Sequence, residues 1–515
     1  MSHDATPSGE LHKGLKQRHL AMIAIGGVIG AGLFVGSGVV MNSVGPASFL
    51  TYAITGVFIV MVMRMLGEMA TANPSTGSFA DYARQALGGW AGFSVGWLYW
   101  YFWVIVVGFE AVAGGKIMQR WIPGVPLWAI ALVLMLLMTA TNLFSVASYG
   151  EFEYWFAGIK VVTIMAFIGL GTLFVLGLWP GKGLDFSNLT AHGGFVPNGV
   201  GAIFSGIVIV VFSMVGAEIA TIAAAESADP HRAVVKATNS VIFRVAFFFV
   251  GSIFLLVTIL PWNSPELGSS PYVSALETMR IPAAAEIMNA VVLVAVLSCL
   301  NSGLYTASRM LFVLSARQEA PGWMLDVSKR GVPLKAILSS TLIGYLCVIA
   351  AFVSPDKVFL FLLNSSGAII LFVYLMICLS QLRMRRMIER TAPERLVLKM
   401  WFYPVLTILA AAAIVAVLVA MFVREDTRSQ IILSLLAWAV VVAAYAVLRR
   451  IAGPAVAAEA HTTEQGLAAE QKADAWMHEH GAGGDLEVDA VVAEGPLPRD
   501  VIRRADEEAY ITQGP

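Results

Sequence analysis

The sequence predicts an all-α membrane protein with about twelve transmembrane helices. Of its 515 residues, 58% are hydrophobic and 13% are charged, which is about half the charged fraction of an average soluble domain. The apolar residues form long runs, and residues 20–41 and 200–217 contain no charged side chain. A run of about 18 or more apolar residues is long enough to cross a bilayer as a helix.

Short connections rich in proline and glycine separate these runs and set the limits of the predicted spans. The third and eighth runs are the longest. The approximate limits, in chain order, are 20–42, 47–71, 88–118, 126–146, 153–178, 199–225, 239–262, 284–316, 335–353, 358–380, 402–423 and 429–449.

The distribution of lysine and arginine predicts the orientation of the chain. If both termini are cytoplasmic, the basic residues concentrate on the cytoplasmic side, as the positive-inside rule requires. The densest basic cluster then lies between the tenth and eleventh spans, and comprises Arg383, Arg385, Arg386, Arg390, Arg395 and Lys399.

Three regions follow from this pattern: a cytoplasmic N-terminal tail (1–19), a transmembrane domain (20–450) and an acidic cytoplasmic tail (451–515). The last region has few large apolar side chains, so we expect it to be disordered or loosely helical. The formal net charge of −1 provides no general attraction to nucleic acid.

Two of the predicted spans are unusually rich in glycine. The first carries Gly30 and Gly32 among further glycines, and the sixth carries Gly216 after Phe212. Glycine at this density permits a helix to unwind in the membrane, where free N–H groups can hold an anion and free carbonyls a cation. The alternative is that these small residues only permit close helix packing.

Ionisable residues inside apolar spans are a second indication of function. Lys160 lies in the fifth span, Glu110 in the third, and Glu218 two residues after Gly216 in the sixth. Each costs about 2.5–3.5 kcal/mol at a helix centre, so it must be paired or solvated. A buried lysine can carry a proton, and the two glutamates are candidate partners. Purely structural ion pairs remain the alternative.

Other residue types give weaker indications. The aromatic residues of the third span point all around a helix, so we expect them to pack; Phe212, beside the sixth-span break, is a candidate gate. Cys299, Cys347 and Cys378 lie in apolar runs and are expected to be buried small side chains. The histidines are not clustered at metal-binding spacing, and no cofactor or catalytic site is predicted.

Several segments resemble the amino acid–polyamine–organocation superfamily, in its bacterial amino acid transporter branch. Besides the glycine-rich first span, they are residues 14–19 (GLKQRH), 73–79 (NPSTGSF), 149–153 (YGEFE) and 301–310 (NSGLYTASRM). Residues 216–227 and 237–242 make the chain most similar to the 4-aminobutyrate (GABA) permeases of that branch.

The resemblance implies a leucine-transporter-like fold of two inverted five-helix repeats, with the first and sixth helices broken. The repeats would be about 20–178 and 199–380, and two extra helices would follow at about 402–449. It also implies proton-coupled uptake by alternating access in the inner membrane of a bacterium.

The family's binding site maps onto the two glycine-rich spans. The substrate carboxylate would lie on the N–H groups of Gly30, Ala31 and Gly32, and its amino group on carbonyls near Val28, Phe212 and Val215. Gly216 would also belong to the substrate site. Ala31 replaces a hydroxyl residue of some relatives. Lys160 would occupy the ion site of sodium-coupled relatives, which favours protons, with Glu218 and Glu110 as further proton-coupling residues.

The function implied is therefore import of GABA together with protons. A permease for another ω-amino acid or for a neutral α-amino acid remains the alternative within the class. An amino-acid sensor with little transport is the alternative from another class, and an enzyme is not expected.

Overall fold

The computed structural model describes residues 29–73, 78–144, 146–219, 230–268, 270–326, 328 and 332–452. Within these ranges the regular secondary structure is helical and includes no β-strand. In the described part of the chain, eight helices are long and apolar enough to cross a membrane, and four shorter apolar helices accompany them. The predicted all-α membrane architecture is confirmed, whereas the two predicted terminal tails fall almost entirely outside the described residues.

The helices follow the predicted apolar runs in order. Those of the first half are α1 (Ala31–Phe34), α2 (Gly36–Val44), α3 (Ser48–Ala72), α4 (Ser78–Leu87), α5 (Gly89–Met118), α6 (Leu127–Asn142), α7 (Val146–Val175), α8 (Val200–Ser205) and α9 (Ile207–Met214). Those of the second half are α10 (Pro230–Arg244), α11 (Ser252–Ile259), α12 (Pro271–Thr278), α13 (Ala284–Ala316), α14 (Leu334–Val353), α15 (Pro355–Thr391), α16 (Val405–Val423) and α17 (Glu425–Ala452). A π-helical segment, Val245–Gly251, joins α10 to α11.

Helix α5 lies at the centre of the molecule and α17 at its edge. In the most apolar stretch of α5, 83% of the residues are buried, against 11% in α17. Helix α5 packs against α13, α14 and α15. An apolar helix that buries so little of itself in protein must cover its surface with lipid, so α17 is peripheral and α5 is positioned to carry functional residues.

Helix α15 extends well beyond the apolar run that predicts it. It ends at Thr391 instead of near residue 380, so four of the basic residues expected in a connection lie on its last turns. The Arg385 guanidinium is 2.8 Å from a carboxylate oxygen of Glu68 on α3 and 2.7 Å from that of Glu389, one turn further on. Because these partners balance its charge, the helix continues past its apolar part.

Non-helical backbone interrupts both glycine-rich spans. Gly30 is extended, and α1 begins only at Ala31. Helix α9 ends at Met214, and the next residue, Val215, is extended. The two interruptions lie close together, because α1 and α2 both pack against α9.

Candidate functional site

A small cavity lies where the two interrupted spans meet α5 and α13. Its lining is mostly apolar with a few polar groups, and comprises Gly30, Gly32, Phe102, Trp103, Val106, Glu110, Phe212, Ser213, Val215 and Cys299.

The first interruption presents a backbone N–H to a buried carboxylate. The amide of Ala31 donates to both carboxylate oxygens of Glu110, each at 3.3 Å. Glu110 projects from α5 and is almost fully buried. The carboxylate of Glu110 therefore lies on the backbone N–H at which the sequence predicts that an anion binds.

The residues on both sides of Ala31 are glycines, because neighbouring atoms lie too close to either position for a side chain. A Cβ added at Gly30 would lie 2.9 Å from Glu110 Oε1 and 3.0 Å from Cys299 Sγ. A Cβ at Gly32 would lie 2.8 Å from the Cα of Ser213. Gly30 therefore leaves space for site side chains, whereas Gly32 lets the first span approach the backbone of the sixth.

The second interruption is also capped by a buried carboxylate. Gly216 has a φ of 105°, in the region that disfavours side chains. Its N–H donates to the two carboxylate oxygens of Glu218 at 3.1 and 3.0 Å. The hydroxyls of Tyr99 and Tyr374 donate to the same carboxylate at 3.2 and 3.4 Å.

A single hydroxyl connects the two interruptions. Ser213 Oγ on α9 donates to the carbonyl of Gly32 at 2.7 Å. The ring of Phe212, the preceding residue, faces the cavity and packs edge-on against Phe109 at 4.9 Å between centroids. This hydrogen bond joins the sixth span to the first beside the cavity.

Lys160 lies outside the cavity lining in a separate buried cluster. Its Nζ donates to Ser298 Oγ at 2.8 Å, and that hydroxyl donates to the carboxylate of Glu153 at 2.7 and 2.8 Å. Lys160 Nζ and Glu153 Oε1 are 3.7 Å apart, and both side chains are fully buried. Ser298 directly precedes the cavity residue Cys299, so the cluster adjoins the site through α13.

The predicted site residues are thus distributed over three places. Gly30, Gly32, Phe212, Val215 and Glu110 line the cavity, and Ala31 supplies the amide that Glu110 accepts. Gly216 and Glu218 form the second cap, and Lys160 forms the buried cluster. Val28 lies outside the described residues.

Some packed aromatic residues and one cysteine lie closer to the site than expected. Phe102 and Trp103 of the third span line the cavity, and Tyr99 contacts Glu218, so these aromatic residues do more than pack. Cys299 also lines the cavity, whereas Cys347 and Cys378 are buried in the core as expected.

The spacing on α5 could have identified one of the missed residues. Trp103 precedes Glu110 by seven residues, or two helical turns, which places both on one face. Glu153 likewise precedes Lys160 by seven residues. Ser298 and Ser213 reach their places through contacts between distant helices, which no local sequence pattern predicts.

Comparison with known proteins identifies the family to which the chain belongs. The family model of amino acid permeases matches residues 19–463. The chain is 52% identical over 441 residues to a gamma-aminobutyric acid permease of Bacillus subtilis (strain 168), covering 85% of this chain and 94% of that protein. It is 49% identical to a gamma-aminobutyric acid permease of Escherichia coli (strain K12), with 82% and 91% covered.

A relative named for a different substrate is less similar. The aromatic amino acid transport protein AroP of Corynebacterium glutamicum is 39% identical, with 82% of this chain and 92% of that protein covered. The extent of the family match and the coverage of these relatives leave one conclusion: the chain belongs to the amino acid permease family of the amino acid–polyamine–organocation superfamily and is a multi-pass membrane protein.

Proposed function

We propose that the protein imports 4-aminobutyrate (GABA) with protons across the inner membrane of a bacterium, by alternating access and with both termini in the cytoplasm. The observation that carries this proposal is a small cavity between two helix interruptions, where a buried carboxylate already lies on a backbone N–H. The higher identity to GABA permeases than to an aromatic amino acid transporter favours GABA.

The proposed topology uses all the apolar helices. Eight long and four shorter apolar helices agree in order with the twelve predicted crossings. We assign the first five and the next five to two inverted repeats, and α16 and α17 to the two extra helices. The peripheral position of α17 supports this last assignment.

In the proposed complex, the substrate carboxylate binds the N–H groups of Gly30, Ala31 and Gly32. The ammonium group binds carbonyls freed at the interruptions, near Val28, Phe212 and Val215. The bond from Ala31 to Glu110 supports this arrangement, because it demonstrates that a carboxylate fits at that amide. Gly216 contributes through its backbone conformation, which positions the turn after Val215.

Proton coupling follows because the substrate carboxylate and the carboxylate of Glu110 compete for the backbone N–H of Ala31. Two carboxylates cannot share the Ala31 N–H without strong repulsion in a site of low dielectric. Glu110 must therefore leave the amide when the substrate arrives, and it leaves most readily as the neutral acid. Lys160, paired with Glu153, and Glu218 complete the proposed proton-coupling set, as groups that act after Glu110 has taken up its proton.

Alternating access requires contacts that can open on each side. On the proposed outer side, Ser270 Oγ donates to the carbonyl of Phe34 at 2.9 Å, so the connection before α12 holds the first span. On the proposed inner side, the ion pair between Arg84 and Glu319 holds α4 to the segment that follows α13. We propose that these contacts break in turn.

Labelled GABA uptake into proteoliposomes tests the function. We expect a proton uncoupler to abolish accumulation, and replacement of sodium by choline to leave it unchanged. GABA and near-isosteric ω-amino acids should compete about ten- to a hundredfold better than glycine or α-alanine, since a shorter ligand leaves a buried polar group unpaired.

Three outcomes would overturn parts of this proposal. Uptake that needs sodium and ignores the uncoupler contradicts proton symport. Competition by proline or phenylalanine as strong as that by GABA favours a neutral α-amino acid permease. Tight binding of GABA without transport favours a sensor.

A further inference from the structure

Trp103, a residue of the cavity lining, carries a buried hydrogen-bond donor without a partner among the described residues. The side chain is 2% exposed and lines the site. Among the described residues its indole N–H has no hydrogen-bond partner. An unsatisfied buried donor costs about 1–3 kcal/mol, so the chain retains Trp103 at this place at the expense of stability.

Neighbouring groups hold the indole in one orientation. A Cβ on Gly303 of α13 would lie 3.1 Å from Cε3 and 3.5 Å from Cζ3 of Trp103, so this edge of the ring packs closely against α13. The N–H lies on the opposite edge of the indole. The rings of Phe102 and Tyr99 meet it edge-on at 5.4 and 6.0 Å.

The Tyr99 hydroxyl does not satisfy this donor. It approaches the indole, but without the geometry of a hydrogen bond. Its own proton is donated to Glu218 Oε1 at 3.2 Å. The other polar groups at the cavity are also engaged, since Glu110 accepts from Ala31 and Ser213 donates to Gly32.

The chemistry of the donor determines what can bind it. An indole N–H only donates, and an ammonium group only donates, so the two cannot pair. In an ω-amino acid zwitterion the carboxylate is the only acceptor. We propose that the indole N–H of Trp103 binds the substrate carboxylate and is a specificity-determining contact for the anionic end; this rests on the proposed amino acid transport.

The position of Trp103 on α5 agrees with this role. It lies two turns before Glu110 on the same helix face, so the carboxylate that leaves the Ala31 amide and the donor that receives the substrate share one rigid element. A substrate carboxylate held by Ala31 and Trp103 together has donors from two separate helices. The contact is charge-assisted and absent in the empty site.

The test compares Trp103→Phe with Trp100→Phe. Trp100 lies one turn earlier on α5 and donates to Ser340 Oγ at 3.0 Å, away from the cavity lining. In W103F, GABA should bind about ten- to a hundredfold more weakly, as expected for loss of a hydrogen bond to a charged group. W100F should bind GABA like the unmodified protein.

A second ligand separates binding from packing. n-Butylamine has the four carbons and the ammonium group of GABA but no carboxylate. Its inhibition constant for GABA uptake should be the same in W103F and in the unmodified protein. Equal weakening of GABA and n-butylamine would show that Trp103 acts by packing alone and would overturn the inference.

A measurement on the unmodified protein covers the case in which W103F does not fold. With all tryptophans labelled with ¹⁵N, the indole N–H resonance of Trp103 should move downfield on addition of GABA. W103F assigns the resonance, or W103Y if only that variant folds. An unmoved resonance, with GABA transport intact, overturns the inference; absence of GABA transport by the unmodified protein overturns the proposed function instead.

Discussion

The two helix interruptions are capped in the same way but by glutamates in different surroundings. Each places a backbone N–H on a buried carboxylate, Ala31 on Glu110 and Gly216 on Glu218. Glu110 belongs to another helix, α5, and lines the cavity. Glu218 follows its own amide by two residues, and two tyrosine hydroxyls hold it outside the cavity lining.

Because of this difference, Glu110 can be exchanged for a ligand, whereas Glu218 is fixed in place. A ligand in the cavity reaches Glu110 and can take its place on the amide. Glu218 is bound by three separate groups, so displacing it would leave several buried donors unpaired, each at a cost of about 1–3 kcal/mol. The first interruption is therefore the proposed switch, and the second is the support against which it moves.

The largest expected effect is that of Glu110→Gln. Glutamine can still accept from Ala31 but cannot exchange a proton, so uptake should lose its coupling. A symporter that moves one charge gains about 2.3 kcal/mol per 100 mV, which supports roughly fortyfold accumulation. We expect this gradient to disappear in proteoliposomes with an imposed potential, while exchange of internal for external GABA continues.

A surface variant serves as the control for that experiment. Glu277→Gln removes an exposed carboxylate that lies 2.9 Å from Arg120, and should accumulate GABA normally. If the Glu110 variant accumulated GABA fully, Glu110 would not be the residue that couples the proton. The two glutamates would then be equivalent as caps of their interruptions.

An intermediate effect is expected for Gly30→Ala. The new methyl group would crowd Glu110 Oε1 and Cys299, and overpacking of this kind costs about 1–3 kcal/mol. GABA affinity should weaken roughly five- to a hundredfold. Gly36→Ala is the matched control, because its Cβ would have no neighbour closer than 3.7 Å. Equal affinities in the two variants would show that close approach at Gly30 is not needed for binding.

The smallest effect should come from Tyr374→Phe. It removes one long hydrogen bond to Glu218, which is worth about 0.5–1.5 kcal/mol. For a chain of this size the apparent Tm should fall by no more than about 2 °C. GABA affinity should be unchanged in a binding assay. A marked loss of affinity would mean that Glu218 takes part in substrate exchange, which would remove the difference between the two caps.

The sequence predicts the interruptions and the acids for physical reasons. Glycine inside an apolar span and a carboxylate in the membrane are both costly, so Gly30, Gly216, Glu110 and Glu218 indicate function without any structure. Aromatic residues carry no such cost in a membrane helix. The only local signal for Trp103 is therefore its seven-residue spacing from Glu110, and its unpaired N–H in the described part of the folded chain distinguishes it from its aromatic neighbours.

Partners contributed by distant helices are likewise not predictable from local sequence. Lys160 is an evident anomaly in the fifth span, but its bond to Ser298 depends on how α7 packs against α13. The extension of α15 to Thr391 has the same origin, since Arg385 meets Glu68 of α3 only in the folded chain. Apolar runs predict where helices cross, and tertiary contacts decide where they end.

Calorimetry of GABA binding in buffers of different ionisation enthalpy tests the exchange at Ala31 most directly, because it counts the protons taken up. If the substrate displaces Glu110 as a neutral acid, the unmodified protein should take up about one proton per GABA bound at a pH where Glu110 is ionised in the empty site. Glu110→Gln should take up almost none, and Glu218→Gln should retain the uptake. Equal proton uptake by the unmodified protein and by Glu110→Gln would contradict the exchange.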